Sequence, residues 1–247
     1  MVNIDTVYQK VLALANKEQR GYITPQEFNL YADHAQKEIF EQYFYDISQW
    51  DRQPGNSHEA SDVLTMLDRK LSVLEHWAHL PNTNLANNLG DINLDQFPRL
   101  YRLVEVKVNY GDGSGYHVAE EVSTKQLTDY QNIALVKPSI KRPVYAHFFE
   151  RASGDERIRI HPAPPVIKEK PLTSYIFLPK KPEWSYVILG DKALYNANTS
   201  VNFQLHQSEE IELIYKILKL AGINLNKAEV VQVAQTLDTQ NVQQEKA

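Results

Sequence analysis

The chain has 247 residues, 26 Lys and Arg against 31 Asp and Glu, and a formal charge of −5. Its length is enough for a real core in one large or two modest domains. Its 43% hydrophobic content excludes disordered and collagen-like classes, and the negative balance excludes a general nucleic-acid coat. The absence of cysteine excludes disulfides, zinc–thiolate sites and thiol nucleophiles.

The N-terminus predicts a first helix over Ile4–Ala15, capped by Asn3 or Asp5, with Ile4, Tyr8, Val11, Leu12 and Ala15 on one face. It lacks the basic front end of a signal peptide, and no apolar run approaches the ~18 residues that span a bilayer, so a soluble protein without a membrane partner is expected.

The stretch from Asn16 to Asp46 carries the densest signals. Thr24 is placed to cap a helix, Pro25 suits the first helical position, and Glu27 completes a T-x-x-E capping box. Ile23 and Phe28 stand at hydrophobic-staple positions, and Gly21 marks the turn before them. Downstream, Phe28, Tyr31, Ala32, Ala35, Ile39, Phe40, Tyr43 and Ile47 form an apolar stripe, with Asp33, Gln36, Lys37, Glu41 and Gln42 on the other side. The pattern predicts an amphipathic helix of about six turns ending near Trp50. Asn16–Glu27 also overlies a calcium-binding loop, but Arg20 puts a cation in a ligand slot and Asn16 replaces the leading carboxylate. The capping box accounts for the same residues without a metal.

Pro54 and Gly55 mark a turn, and Val63, Leu64, Leu67, Leu71, Leu74 and Trp77 predict a third helix over residues 60–77. The Asn-rich stretch 81–97 reads as a linker. Alternation then predicts strands at Leu100–Tyr110, Tyr116–Val122, Val144–Glu150, Arg157–His161 and Ser174–Leu178. GDGSG at Gly111–Gly115 reads as a hairpin turn, and a short helix follows Ser123. Proline clusters separate the later strands. Ser208 predicts the cap of another helix, with Ile211, Ile214, Tyr215, Leu218 and Ala221 as its stripe and Gly222 as its stop. A last helix is expected over Lys227–Gln240. The expected fold is α+β. Residues 1–80 and 207–247 make a helical bundle from both chain ends, with an inserted β-rich domain over 98–205, sandwich- or barrel-like, and a linker at 81–97.

No nucleophile elbow, Walker loop, dinucleotide fingerprint or H-E-x-x-H helix is present. His76 and His79 could share a helix face as a metal pair, but no third ligand is evident. His161 and His206 read as a strand end and a cap neighbour. Lys137, Lys141, Arg142, Lys168, Lys170, Lys180 and Lys181 dot the proline-rich connections, and Arg157 and Arg159 alternate on one strand; a solvated loop or an inter-subunit contact is the simpler reading for them. No catalytic, cofactor-binding or metal residue is assigned, and no enzyme activity is expected.

Two blocks carry a family resemblance: Ala13–Asp46, and Lys181–Ile223 with Trp184, Tyr186, Gly190–Asn196, Phe203, Leu205, His206 and Ser208–Glu210. Together they resemble a structural-protein family of crAss-like and related short-tailed phages. The resemblance implies a head-to-tail connector, a ring and by expectation a dodecamer. It would dock on the portal next to other tail or ring proteins and form part of the genome-exit channel, with passive contact to exiting DNA. It further implies assembly in the host cytoplasm, a place at the virion head–tail junction and no catalytic residues. The alternative is another virion-assembly or tail-hub role for the same family, outside a ring. Fourteen tyrosines suit surfaces that meet other proteins.

Overall fold

Local chemistry starts the longest helix where the sequence predicts it. In the computed structural model α2 spans Pro25–Asp51. Glu27 N–H donates to the Thr24 hydroxyl (3.3 Å) while Thr24 N–H donates to the Glu27 carboxylate (3.0 Å), a reciprocal box that satisfies two donors a helix start leaves free. Ile23 and Phe28 are buried on either side of it. Residues 1–17, 23–51, 58–80, 91–95, 97–111, 113–150, 154–162, 170–190 and 192–224 are described; Gly21, Arg20, the turn at Pro54–Gly55 and the expected Lys227–Gln240 helix lie outside them.

Among the described residues five helices accompany a seven-stranded sheet, an α+β fold. The chain divides into two units, Met1–Leu74 with Pro179–Ala247, and Glu75–Leu178. The first holds α1 (Ile4–Lys17), α2, α3 (His58–Leu71) and α5 (Glu210–Asn224). Asn3 caps α1, its side-chain oxygen accepting from Asp5 N–H (2.9 Å) and Thr6 N–H (3.1 Å). α5 packs on α1 and α2, and α3 packs on α2. Their buried faces bring together Ile4, Val11, Phe28, Ile39, Phe40, Leu213 and Ile217.

The second unit is built on the sheet order β1-β7-β3-β4-β5-β6-β2, with β1 (Glu75–His79) and β2 (Asp91–Asn93) at the edges. The other strands are β3 (Leu100–Asn109), β4 (Tyr116–Glu121), β5 (Val144–Phe149), β6 (Glu156–His161) and β7 (Leu172–Phe177). Pairing is antiparallel except between β4 and β5, where only Glu120↔Val144 and Glu121↔Tyr145 align. The helix α4 (Thr124–Asn132) connects those two parallel strands, a connection a tight hairpin cannot make. Ser123 and Gln126 form its capping box. One core gathers Leu103, Val106, Val108, Tyr145, Ile158 and Ile160, and a smaller one seats Leu127 of α4 on Val122, Val144 and Ala146.

Several expectations change. The third helix stops at Leu71, and Glu75–His79, expected at its C-terminal end, is a strand paired over five positions with β7. Leu71, Leu74 and Trp77 fit helical spacing, but an open strand edge on β7 decides for strand, and the Ser72 hydroxyl donates to the Arg69 carbonyl (2.7 Å) where the helix ends. The expected linker contains β2, held by Arg159 of β6. Pro179–Leu205, expected with the β-rich segment, groups with the helices. α5 is preceded by a 3₁₀ turn whose N-cap is His206 in place of Ser208, and it continues through Gly222 to Asn224. Its buried stripe is Leu213, Ile214, Ile217, Leu218 and Ala221, while Ile211 is exposed.

Thr24→Ala is expected to lower stability by about 1 kcal/mol in urea denaturation, through loss of the cap; an unchanged midpoint would mean the box contributes nothing. The Thr24 N–H and then its hydroxyl hold the Glu27 carboxyl below its ordinary 4.5. A depressed folded value stabilises above the unfolded pKa and is lost as pH falls through the folded one. The stability gap between wild type and Glu27→Gln should therefore close in acid, as read by melting temperature across pH.

Candidate functional site

The two blocks that carry the family resemblance meet in the first unit, around one indole. Trp184, 3% exposed, donates from its ring nitrogen to Asp5 (2.9 Å) and from its backbone N–H to the Asn29 side chain (2.8 Å). Asn29 donates back to the Trp184 carbonyl (3.3 Å). The Tyr8 ring lies 4.3 Å from the indole and 4.7 Å from Phe28, so α1, α2 and the segment before α5 share one aromatic cluster.

A second polar lock lies further along α2. Gln36 is fully buried; its amide donates to the Lys180 carbonyl (2.8 Å) and its oxygen accepts from Gln204 N–H (3.0 Å). The Lys180 N–H in turn donates to the Gln204 side chain (2.7 Å). This overturns the placement of Gln36 on the solvent side. It stands at four-residue steps from Phe28 and Ala32 and therefore on their stripe, and polarity alone hid that signal. Two buried charges complete the set: Lys216 of α5 meets Glu38 on the half-exposed side of α2 (2.9 Å) as well as Glu212 of its own helix (3.5 Å), and the 1%-exposed Glu209, in the turn before α5, meets Lys70 of α3 (2.9 Å). Left unpaired, the buried Lys216 or Glu209 would face a large desolvation cost, so the Glu209 pair ties the start of α5 to α3.

From this anchored base rises a hairpin, β8 (Tyr186–Leu189) and β9 (Lys192–Tyr195), which among the described residues pair only with each other. Tyr186 and Tyr195 are opposite partners and both stack on Trp184, at 5.8 and 5.7 Å. Period-two alternation puts Ile188 and Ala193 on the tyrosine face and Val187, Leu189 and Leu194 on the other, where Lys192 opposite Leu189 is the one charged side chain of the two strands. Ile188 is 69% exposed, Leu189 68%, and Val187 and Leu194 about half. Gly190 at the turn takes φ +54° with open space around it. The sequence signal was present, β-branched and aliphatic residues on both faces of a short hairpin, but nothing local says they stay uncovered.

Of the helix-organising residues, Ile23, Thr24, Pro25, Glu27 and Phe28 come together at the α2 start, and Glu27 is engaged by Thr24; Gly21 is outside the described residues. The supposed His76 and His79 pair is separated: on a strand, a three-residue step puts them on opposite faces. His76 packs edge-on against Tyr175, and His79 Nδ1 lies 3.4 Å from the Lys170 carbonyl. His161 ends β6; burial and then the Arg159 charge push its pKa down, with Asp91 opposing. Arg157 and Arg159 are structural: Arg159 forms a two-point pair with Asp91 (2.5 and 2.9 Å), and Arg157 meets Glu150 and Asp155. Lys137, Lys141, Arg142, Lys170, Lys180 and Lys181 are exposed, and Lys168 is outside the described residues. Within the described residues no group of three His, Asp or Glu is arranged to hold a metal, and no helix is long and apolar enough to cross a membrane.

Gln36→Leu removes both side-chain bonds, to the Lys180 carbonyl and from the Gln204 N–H; both bonds are part-buried, so the loss is expected to cost about 1 kcal/mol for each. The expected result is a clear drop in denaturation midpoint together with faster hydrogen exchange at the Gln204 amide. Unchanged exchange there would remove the lock from the account. Compared with protein-family models and with curated proteins, the chain finds no match.

Proposed function

We propose that the protein is a virion structural component: a head-to-tail connector that docks on the portal as a dodecameric ring and forms part of the genome-exit channel. In this reading the chain ends make a helical bundle, and the β-rich segment is an insertion carried by it. The observation that carries the proposal is the β8–β9 hairpin. It carries uncovered aliphatic side chains on both faces, with Lys192 as the one charge on its strands, and is fastened to a buried tryptophan at its base. A two-stranded hairpin standing alone is marginal in water, and monomeric proteins rarely leave such a patch uncovered. A building block in a larger assembly buries it against a neighbour. The family resemblance of the same segment, Lys181–Ile223, supplies the kind of assembly.

The test is reconstitution with the portal of the same virion, read by native mass spectrometry and negative-stain imaging. Wild type is expected to form rings on the portal. Ile188→Lys with Leu189→Lys should keep the wild-type melting temperature and lose docking. A wild-type protein that ignores the portal, or that is missing from purified particles, would overturn the proposal.

A further inference from the structure

The α4–β5 connection, residues 133–142, combines two features that ordinary surface loops keep apart. From Gln131 through Phe149 the chain has no acidic residue, and Lys137, Lys141 and Arg142 are all exposed, without an ion pair among the described residues. Between them stand uncovered aliphatic side chains: Leu135 is 92% exposed, and Ile133, Val136 and Ile140 are also in solvent. The backbone is fixed nonetheless. Val136 N–H donates to the Ile133 carbonyl (3.2 Å), Ser139 and Arg142 exchange two backbone bonds (3.2 and 2.9 Å), and α4 beneath is capped and seated on its own small core. A surface held in shape before contact avoids part of the ordering cost of binding.

The chemistry of the occupant follows from that pairing of charge and aliphatic surface. Single-stranded nucleic acid would meet the cations, but its bases need aromatic platforms, and residues 133–142 contain none. An acidic protein surface with apolar residues of its own satisfies both features, and this chain carries one. The unit that holds the helices has 19 acidic against 14 basic residues, while the sheet unit balances 12 against 12, so the net charge of −5 falls to the first unit. On α2, Glu41 is exposed and shares a helix face with Leu30 and Tyr45, both uncovered; Lys37, one turn earlier on that face, is engaged by Asp33 (2.8 Å), which leaves Glu41 as the unpaired charge there among the described residues. We propose that the 133–142 loop of one copy docks on the outward α2 face around Glu41 of a second copy. The two surfaces differ, so the contact is heterologous and propagates around a ring. The inference deepens the connector reading by naming one contact between neighbours, and rests on that reading for the ring.

The experiment uses the full chain, alone and on the portal, with assembly followed by mass photometry at about 0.05 M and about 0.5 M salt. Wild-type association should weaken at the higher salt. A loop variant, Lys137→Glu/Lys141→Glu/Arg142→Glu, and a helix variant, Glu41→Lys, should each associate more weakly, the loop variant by roughly tenfold or more, with unchanged melting. Mixing the two variants should restore association, because each reversed loop then meets a reversed helix face. The inference is overturned if the loop variant assembles like wild type, if mixing restores nothing, or if the loop cations serve only to bind phosphatidylserine vesicles. Portal rings formed equally by the loop variant would remove this contact and leave the connector reading standing; failure of wild type on the portal would remove the connector reading itself.

Discussion

The fold of the helical unit depends on a few polar groups set where apolar ones would be expected. Gln36, Lys216 and Glu209 are buried and Asn29 is half-buried, and each locks a segment from one end of the chain onto a segment from the other. Hydrophobic burial is not directional, and the stripes of α1, α2 and α5 alone would tolerate several slides and rotations. A buried amide with two fixed partners, or a lysine that must reach a carboxylate, tolerates very few. These contacts span more than 130 residues of sequence, so the register of Pro179–Leu205 on α2 is set by them.

That register positions the hairpin. Trp184 is held from both sides, by Asp5 and Asn29, and its outer face is the floor on which Tyr186 and Tyr195 stack. Rigidity at the base is transmitted to β8 and β9 by the first cross-strand pair, while the aliphatic tip remains in water. A stiff support under an uncovered apolar tip suits an element whose energy is released in contact with another molecule. The 133–142 loop has different chemistry: a backbone held by its own hydrogen bonds, exposed aliphatic groups and cations without an ion pair among the described residues.

Much of the local structure was legible because its causes are short-range. Thr24 with Glu27 and Ser123 with Gln126 are three residues apart, and both boxes form; alternation located β3 through β7 within a few residues. Misreadings arose where one pattern served two structures. Leu71, Leu74 and Trp77 satisfy helical spacing, yet Glu75–His79 is claimed by the free edge of β7, which takes with it any shared face for His76 and His79. The strand β2 is three residues in an Asn-rich stretch, too short for periodicity to register, and Arg159 marks it only in space.

The candidate site divides along the same line. The sequence by itself determined where α1, α2 and α4 begin, which stretches alternate and that cysteine chemistry is excluded. Tertiary structure alone decided that Gln36 faces inward and that Glu209 is buried against Lys70 while Ile188 and Leu189 are left in water. The reason is the range of the interactions. Capping and alternation are settled within a turn or a strand, whereas whether a side chain is covered depends on residues that arrive from the far end of the chain.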